Sequence, residues 1–131
     1  MDNTIVWADI PVTDLERAMK FYSAVLQQDL ETVEGMEGIA LVAGGASSQE
    51  ELNTMTVGFD LPVVSDRKPS RDGCTIYLNS RGDPEGMLQR AASAGGEILM
   101  ALADMGDMVG SIGFFLDSEG NRIGVHKPPE M

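Results

Sequence analysis

Apolar and polar residues recur along this chain in two periods, and the switches between them mark its elements. Ile5 to Val12 (IVWADIPV) is β-branched and aromatic in the manner of a strand, and Pro11 puts its end at a sheet edge or exit. The period then changes. Thr13 opens T-D-L-E, a capping box in which the Thr13 hydroxyl accepts from the Glu16 amide, worth about 1 kcal/mol. Leu15, Ala18, Met19, Tyr22, Val25 and Leu26 follow at helical spacing, so a helix with one apolar stripe is predicted to lie on a sheet. Leu30–Val33 and Ile39–Val42, joined by a turn around Gly35–Gly38, read as a hairpin. A polar loop, Gly44–Asn53, precedes a predicted strand at Met55–Phe59.

After a second loop, Pro62–Gly73, the pattern starts again. Cys74–Leu78 is predicted as a strand, and Asp83-Pro84 supplies an N-cap followed by a proline at the first helical position, where the missing N–H costs nothing. Met87, Leu88, Ala91 and Ala94 make the apolar face of this helix, and Gly95-Gly96 ends it in left-handed fashion. Glu97–Leu102, Ile112–Leu116 and Arg122–His126 are predicted strands, with a tight turn at Asp117–Asn121. The order is therefore β-α-β-β-β twice. Asp83 lies 69 residues after Asp14, about half the chain, although the halves share negligible identity. The repeat is one of element order.

Composition narrows the functional classes. At 131 residues the chain fits one domain, 1–131, with module one at about 1–60 and module two at about 72–127. Nine Lys and Arg against 21 Asp and Glu leave a net charge of −12, which repels phosphate backbones and anionic headgroups. Neither nucleic acid nor a membrane is an expected partner. No basic and then apolar leader opens the chain, and no window approaches the roughly 18 apolar residues of a membrane span. One cysteine, Cys74, excludes an intrachain disulfide framework and reads as a buried small hydrophobe; a cytoplasmic location is expected.

Two stretches carry a resemblance. Asp9 to Tyr22 (DIPVTDLERAMKFY) and Phe114 to Ile123 (FFLDSEGNRI), with Gly95-Gly96 between them, resemble the vicinal-oxygen-chelate superfamily of glyoxalase I, bleomycin-resistance proteins and extradiol dioxygenases. The resemblance implies an α+β fold in which two tandem βαβββ modules form a cupped, mixed eight-stranded sheet around a cavity, and it implies a homodimer. Metal-using members place a His on the first strand, a Glu late in module one, a His on the first strand of module two and a Glu on the last strand. Here the first-strand place holds Trp7 and the last-strand place Gly124, while Thr54–Phe59 contains no carboxylate and Cys74–Ile76 no His. The chain has a single His, which cannot supply a two-His set, so no metal site of the usual kind and no cofactor are expected.

Strand alternation identifies other candidates. Ile5, Trp7 and Asp9 share one face of the first strand, and Arg122, Gly124 and His126 one face of the last. In the family geometry both faces look into the cup. Trp7, Asp9, Tyr77 and His126 are the expected ligand-binding residues, and Asp9 with His126 is the candidate acid–base pair. The plain readings stand beside these: His126 as a hydrogen-bonded residue near the terminus, and Trp7 as cavity wall. Met105–Gly110 (MGDMVG) is expected to form a lip over the cavity. Neither glycine pair has the spacing of a phosphate loop, and no hydrolase triad is legible. Two functions remain open. One is a metal-free protein that binds a small, cationic molecule in an acidic, partly apolar cavity; the other is a lyase, isomerase or dioxygenase acting through Asp9 and His126 or through a relocated metal.

Overall fold

The core is built by residues that alternate along strands and recur along helices so that both sets of apolar side chains meet. A computed structural model describes residues 7–33, 36–42 and 58–129. In module one, β1 (Trp7–Asp9) leads into α1 (Leu15–Leu26), followed by β2 (Glu31–Val33), β3 (Met36–Val42) and β4 (Gly58–Pro62). In module two, β5 (Ile76–Asn79) leads into α2 (Pro84–Ser93), then β6 (Glu97–Asp104), β7 (Ser111–Leu116) and β8 (Arg122–Lys127). The expected loop Gly44–Asn53 lies outside the described residues.

The α+β class, the two βαβββ modules and the eight strands are as expected. They are bonded as two mixed four-stranded sheets, ordered β1-β4-β3-β2 and β5-β8-β7-β6, which refines the expected single eight-stranded sheet. In each sheet the first strand of the module runs parallel to the last, and the remaining pairs are antiparallel. Among the described residues, edge strands β1 and β5 do not pair with one another. The modules join instead through their helices, which pack on each other and each against the sheet of its own module.

Alternation decides which side chains reach that core. Ile10, Phe59, Leu61, Leu78, Phe115, Ile123 and Val125 point toward the helices and are buried. They meet Ala18, Phe21, Tyr22 and Val25 of α1 and Met87, Leu88 and Ala91 of α2 in one cluster shared by both modules. Phe21 was absent from the predicted stripe, yet its ring lies 5.0 Å from Tyr22 and 5.8 Å from Phe115 across the module boundary. Such aromatic pairs add about 0.5–1.5 kcal/mol each beyond the area they bury.

The helix ends follow the sequence with one correction. Asp83 caps α2, its Oδ1 accepting from the Gly86 amide at 3.0 Å, and Gly95 after the helix has φ +111°, a conformation that suits a residue without a Cβ. At α1 the cap is Asp14, whose Oδ1 accepts from the Arg17 amide at 3.0 Å, so the expected Thr13–Glu16 box does not form. Thr13 is otherwise engaged. Its amide and hydroxyl donate to Oε1 of Glu119, at 2.9 and 3.1 Å, and the Asp14 amide donates to the same oxygen at 2.9 Å. A carboxylate from the opposite module thus does part of the capping that the local sequence assigned to a neighbour.

Candidate functional site

The candidate residues lie on the sheet faces turned away from the helices. Each module presents there two register pairs between its first and last strands. In module one Trp7 stands opposite Gly58 and Asp9 opposite Asp60; in module two Tyr77 stands opposite Gly124 and Asn79 opposite His126. The hydrogen bond from the Ile10 amide to the Asp60 carbonyl, 3.0 Å, has its counterpart in the bond from the Ser80 amide to the His126 carbonyl, 3.2 Å. The modules therefore superpose in register, aromatic over glycine and then a polar pair.

In module two the aromatic lies flat because the glycine lets it. A Cβ on Gly124 would sit 2.4 Å from Cδ2 of Tyr77, inside any allowed contact, so only glycine leaves room for the ring. Tyr77 is half exposed, and its ring centroid is 5.8 Å from that of Phe114, which in turn lies under the Arg122 guanidinium at 5.6 Å. Tyr77, Leu78, Asn79, His126 and Pro128 line a hollow of about 200 Å³. A larger groove of about 680 Å³ runs along the outer side of α1 past Leu15, Met19 and Thr32, away from these residues, and its charged lining is Glu16 with Lys20, which pair with each other at 3.7 Å.

In module one the polar pair is two carboxylates. Asp60 is buried, and its Oδ1 has no hydrogen-bond partner among the described residues. Burial first, and then the hydrogen bond and charge of Asp9, push the Asp60 carboxyl up to about 6, with the Trp7 indole pulling the other way. Asp9 moves down, chiefly because Asp60 shares its proton with it and secondarily because of Arg67, although burial opposes the shift. Two adjacent carboxylates titrate as a pair, so one proton is held between them below about pH 6 and is lost as the pH rises through that value. Arg67, from the β4–β5 loop, bonds Oδ2 of Asp9 through Nη1 and Oδ1 of Asp66 through Nε at 3.3 Å.

The structure brings Trp7 and Asp9 to one sheet and Tyr77 and His126 to the other. No hydrogen bond, ion pair or ring contact links Asp9 with His126 among the described residues. Nε2 of His126 lies 2.6 Å from the Val109 carbonyl, which can only accept, so the imidazole donates there. That bond ties the Met105–Gly110 segment to β8, while Met105 and Met108 point outward with half and nearly all of their surface exposed. Cys74, expected to be buried, is exposed because it precedes β5 instead of belonging to it. Asp60 and Phe114 are not among the expected site residues, and Arg122 is expected on the cup face but not as a ligand-binding residue. Asp60 was legible in principle: GFDLP continues the alternation one turn of the pleat past Phe59, where the strand had been ended.

A family model described as "Glyoxalase/Bleomycin resistance protein/Dioxygenase superfamily" matches residues 4–125. The chain belongs to this superfamily. It is 29% identical over 126 residues, 92% of this chain and 91% of the other, to a glyoxylase-like domain-containing protein of Didymella fabae. Among solved structures, a glyoxalase/bleomycin resistance protein from Albidiferax ferrireducens aligns with a TM-score of 0.71 at 17% identity, covering 97% of this chain and 100% of that one. A glyoxalase-related enzyme from Fulvimarina pelagi aligns at 0.67 and 14%, over 95% and 87%. At these identities the structural likeness speaks for the fold.

The resemblance puts the first-strand and last-strand ligand places at Trp7 and Gly124. The residues paired with them in register are Gly58, inside the expected Thr54–Phe59 stretch, and Tyr77, one residue past the expected Cys74–Ile76. The two glycines carry no side chain and the indole offers no free lone pair, which leaves the Tyr77 phenol as the single donor among the four, and one donor does not fit a divalent ion that needs about three. The carboxylates and the imidazole are one pleat further along and on separate sheets. No group of three His, Cys, Asp or Glu side chains converges among the described residues.

Proposed function

We propose that this protein is a small-molecule-binding member of the superfamily that works without the divalent metal, and that its ligand is cationic with a flat apolar part. One observation carries the reading: each module sets an aromatic opposite a glycine between its first and last strands, Trp7 with Gly58 and Tyr77 with Gly124, where the resemblance would put metal ligands. The exchange removes donors and supplies ring surface at the same points. Tyr77, Phe114 and the Arg122 guanidinium form a contiguous ring surface, the two rings tilted at 56° to each other, and the net charge of −12 attracts cations over distance. A second copy of the chain, facing the sheets from outside, would close the hollow, and a cytoplasmic setting suits the reduced, exposed Cys74.

The enzyme reading through Asp9 and His126 has less support, since Arg67 engages the first and the Val109 carbonyl the second. The test has two arms. Protein purified without chelator is assayed for Ni, Zn, Fe and Mn, and stoichiometric metal overturns the proposal. A library of cationic, neutral and anionic compounds is then screened by thermal shift, where a ligand at 100 times its Kd adds about 2.7 kcal/mol of stability. Hits confined to the cationic aromatic compounds are expected, and a library without any hit counts against binding as the function.

A further inference from the structure

We propose that the Asp9–Asp60 carboxylate pair is the recognition point for a planar N–H cation, an amidinium or guanidinium group of the ligand, and that Arg67 is an intramolecular occupant of that point which the ligand displaces. The inference rests on the binding reading above and names the chemistry of its polar anchor. Four observations on module one carry it. Asp60 is 9% exposed and keeps a buried carboxylate oxygen, Oδ1, without a hydrogen-bond partner among the described residues, a cost that folding alone has no reason to retain. Asp9 stands directly opposite it on the parallel strand, so the two carboxyl groups address one point from adjacent strands. The group already bound there is a guanidinium, a planar fork whose N–H donors match carboxylate oxygens. Trp7, two residues before Asp9 on the same face, provides the apolar wall beside it.

Arg67 is well suited to leave. Its side chain is 46% exposed and that of its partner Asp9 is 39% exposed, and pairs of this kind contribute about 0–1 kcal/mol. Nor does the β4–β5 loop depend on it. The loop is held further along, where the Ser70 amide donates to Oδ1 of Asn121 at 3.0 Å and the Ser70 carbonyl accepts from the Arg122 amide at 3.4 Å. Released from Asp9, the guanidinium retains Asp66, which is its other partner and lies in solvent. A ligand cation therefore replaces one weak ion pair and brings donors to Oδ1 of Asp60, the carboxylate oxygen left without a partner among the described residues.

The experiment titrates wild type, Arg67→Gln and Asp60→Asn with benzamidinium and with its neutral counterpart benzamide, by calorimetry. Removing the occupant in Arg67→Gln should tighten benzamidinium roughly five-fold, the equivalent of about 1 kcal/mol. Asp60→Asn should weaken it at least ten-fold while remaining folded by circular dichroism, and benzamide should bind none of the three. Affinity for benzamidinium that is unchanged or weaker in Arg67→Gln overturns the proposal, as does wild-type affinity in Asp60→Asn or binding of benzamide equal to that of benzamidinium. No binding by any of the three proteins overturns it as well. Failure here is separable from failure of the binding reading: a neutral ligand from the thermal-shift library with equal affinity for wild type and Asp60→Asn removes the cation point and leaves the metal-free binder, whereas stoichiometric metal removes the binder.

Discussion

The phenol of Tyr22, at the centre of α1, donates a 2.6 Å hydrogen bond to Oδ2 of Asp117, the first residue of the turn between β7 and β8 in the other module. Both residues are buried. Asp117 is fully occupied: its Oδ1 accepts from the amides of Glu119 and Asn121, each at 2.9 Å, and its Oδ2 also accepts from Nδ2 of Asn121 at 3.1 Å. Burial first, and then the Asp117 charge, push the Tyr22 phenol well above its ordinary range, so it remains a donor at any working pH.

Tyr22→Phe should cost about 1.5–3 kcal/mol, the range for a hydrogen bond to a charged acceptor, because the ring stays packed against Phe21 and Phe59 while Asp117 loses one donor. Urea unfolding should show a lower midpoint with an unchanged slope. A loss below about 0.5 kcal/mol would mean that the contact does not join the modules energetically.

Glu119 ties the same turn to the start of α1. Burial opposes its charge, but Arg17, the Asp14 and Thr13 amides and Ser118 prevail, and its carboxyl falls from 4.5 to about 2. A carboxyl depressed in the folded state adds stability that is complete above the unfolded value and is lost as pH falls toward the folded one. Glu119→Ala should therefore cost about 2–3 kcal/mol at neutral pH and much less near pH 2, so that the mutant's stability depends less on pH across that acid window than the wild type's. Parallel curves for the two proteins would contradict this.

Asp60 works in the opposite sense. Its folded value, about 6, exceeds the ordinary 3.8, so stability is at its fullest below the latter and declines as pH rises through the former. Asp60→Asn removes that decline. The variant should gain about 1–2 kcal/mol over wild type near pH 8 and almost nothing near pH 4, as read from denaturant midpoints at the two pH values.

Gly124→Ala tests the ring-on-glycine pair. The new methyl would meet Cδ2 and Cε2 of Tyr77 at 2.4 and 2.6 Å, and the half-exposed ring can swing away from it. Gly124 itself is buried, but what its methyl meets is a movable ring, so stability should fall by no more than about 1 kcal/mol, yet ligands found by the thermal-shift screen should bind at least ten-fold more weakly. Ring chemical shifts of Tyr77 and Phe114 that stay at wild-type values would show that the ring had not moved.

Much of the fold was legible because it depends on short-range periodicity. The stripe Ala18, Tyr22, Val25, the Asp83-Pro84 start of α2, the Gly95 stop and the alternation Arg122, Gly124, His126 are each decided within a few residues, where backbone geometry sets which side chains share a face. What the linear order could not supply is whatever depends on which strands become neighbours. Asp60 acquires meaning only opposite Asp9, Gly124 only beneath Tyr77, and Glu119 only where it displaces Thr13 from its own cap, at separations of 51, 47 and 106 residues. Parallel pairing of the first strand of each module with its last, across an intervening helix and hairpin, creates those meetings, and through burial and charge the meetings set how each group behaves.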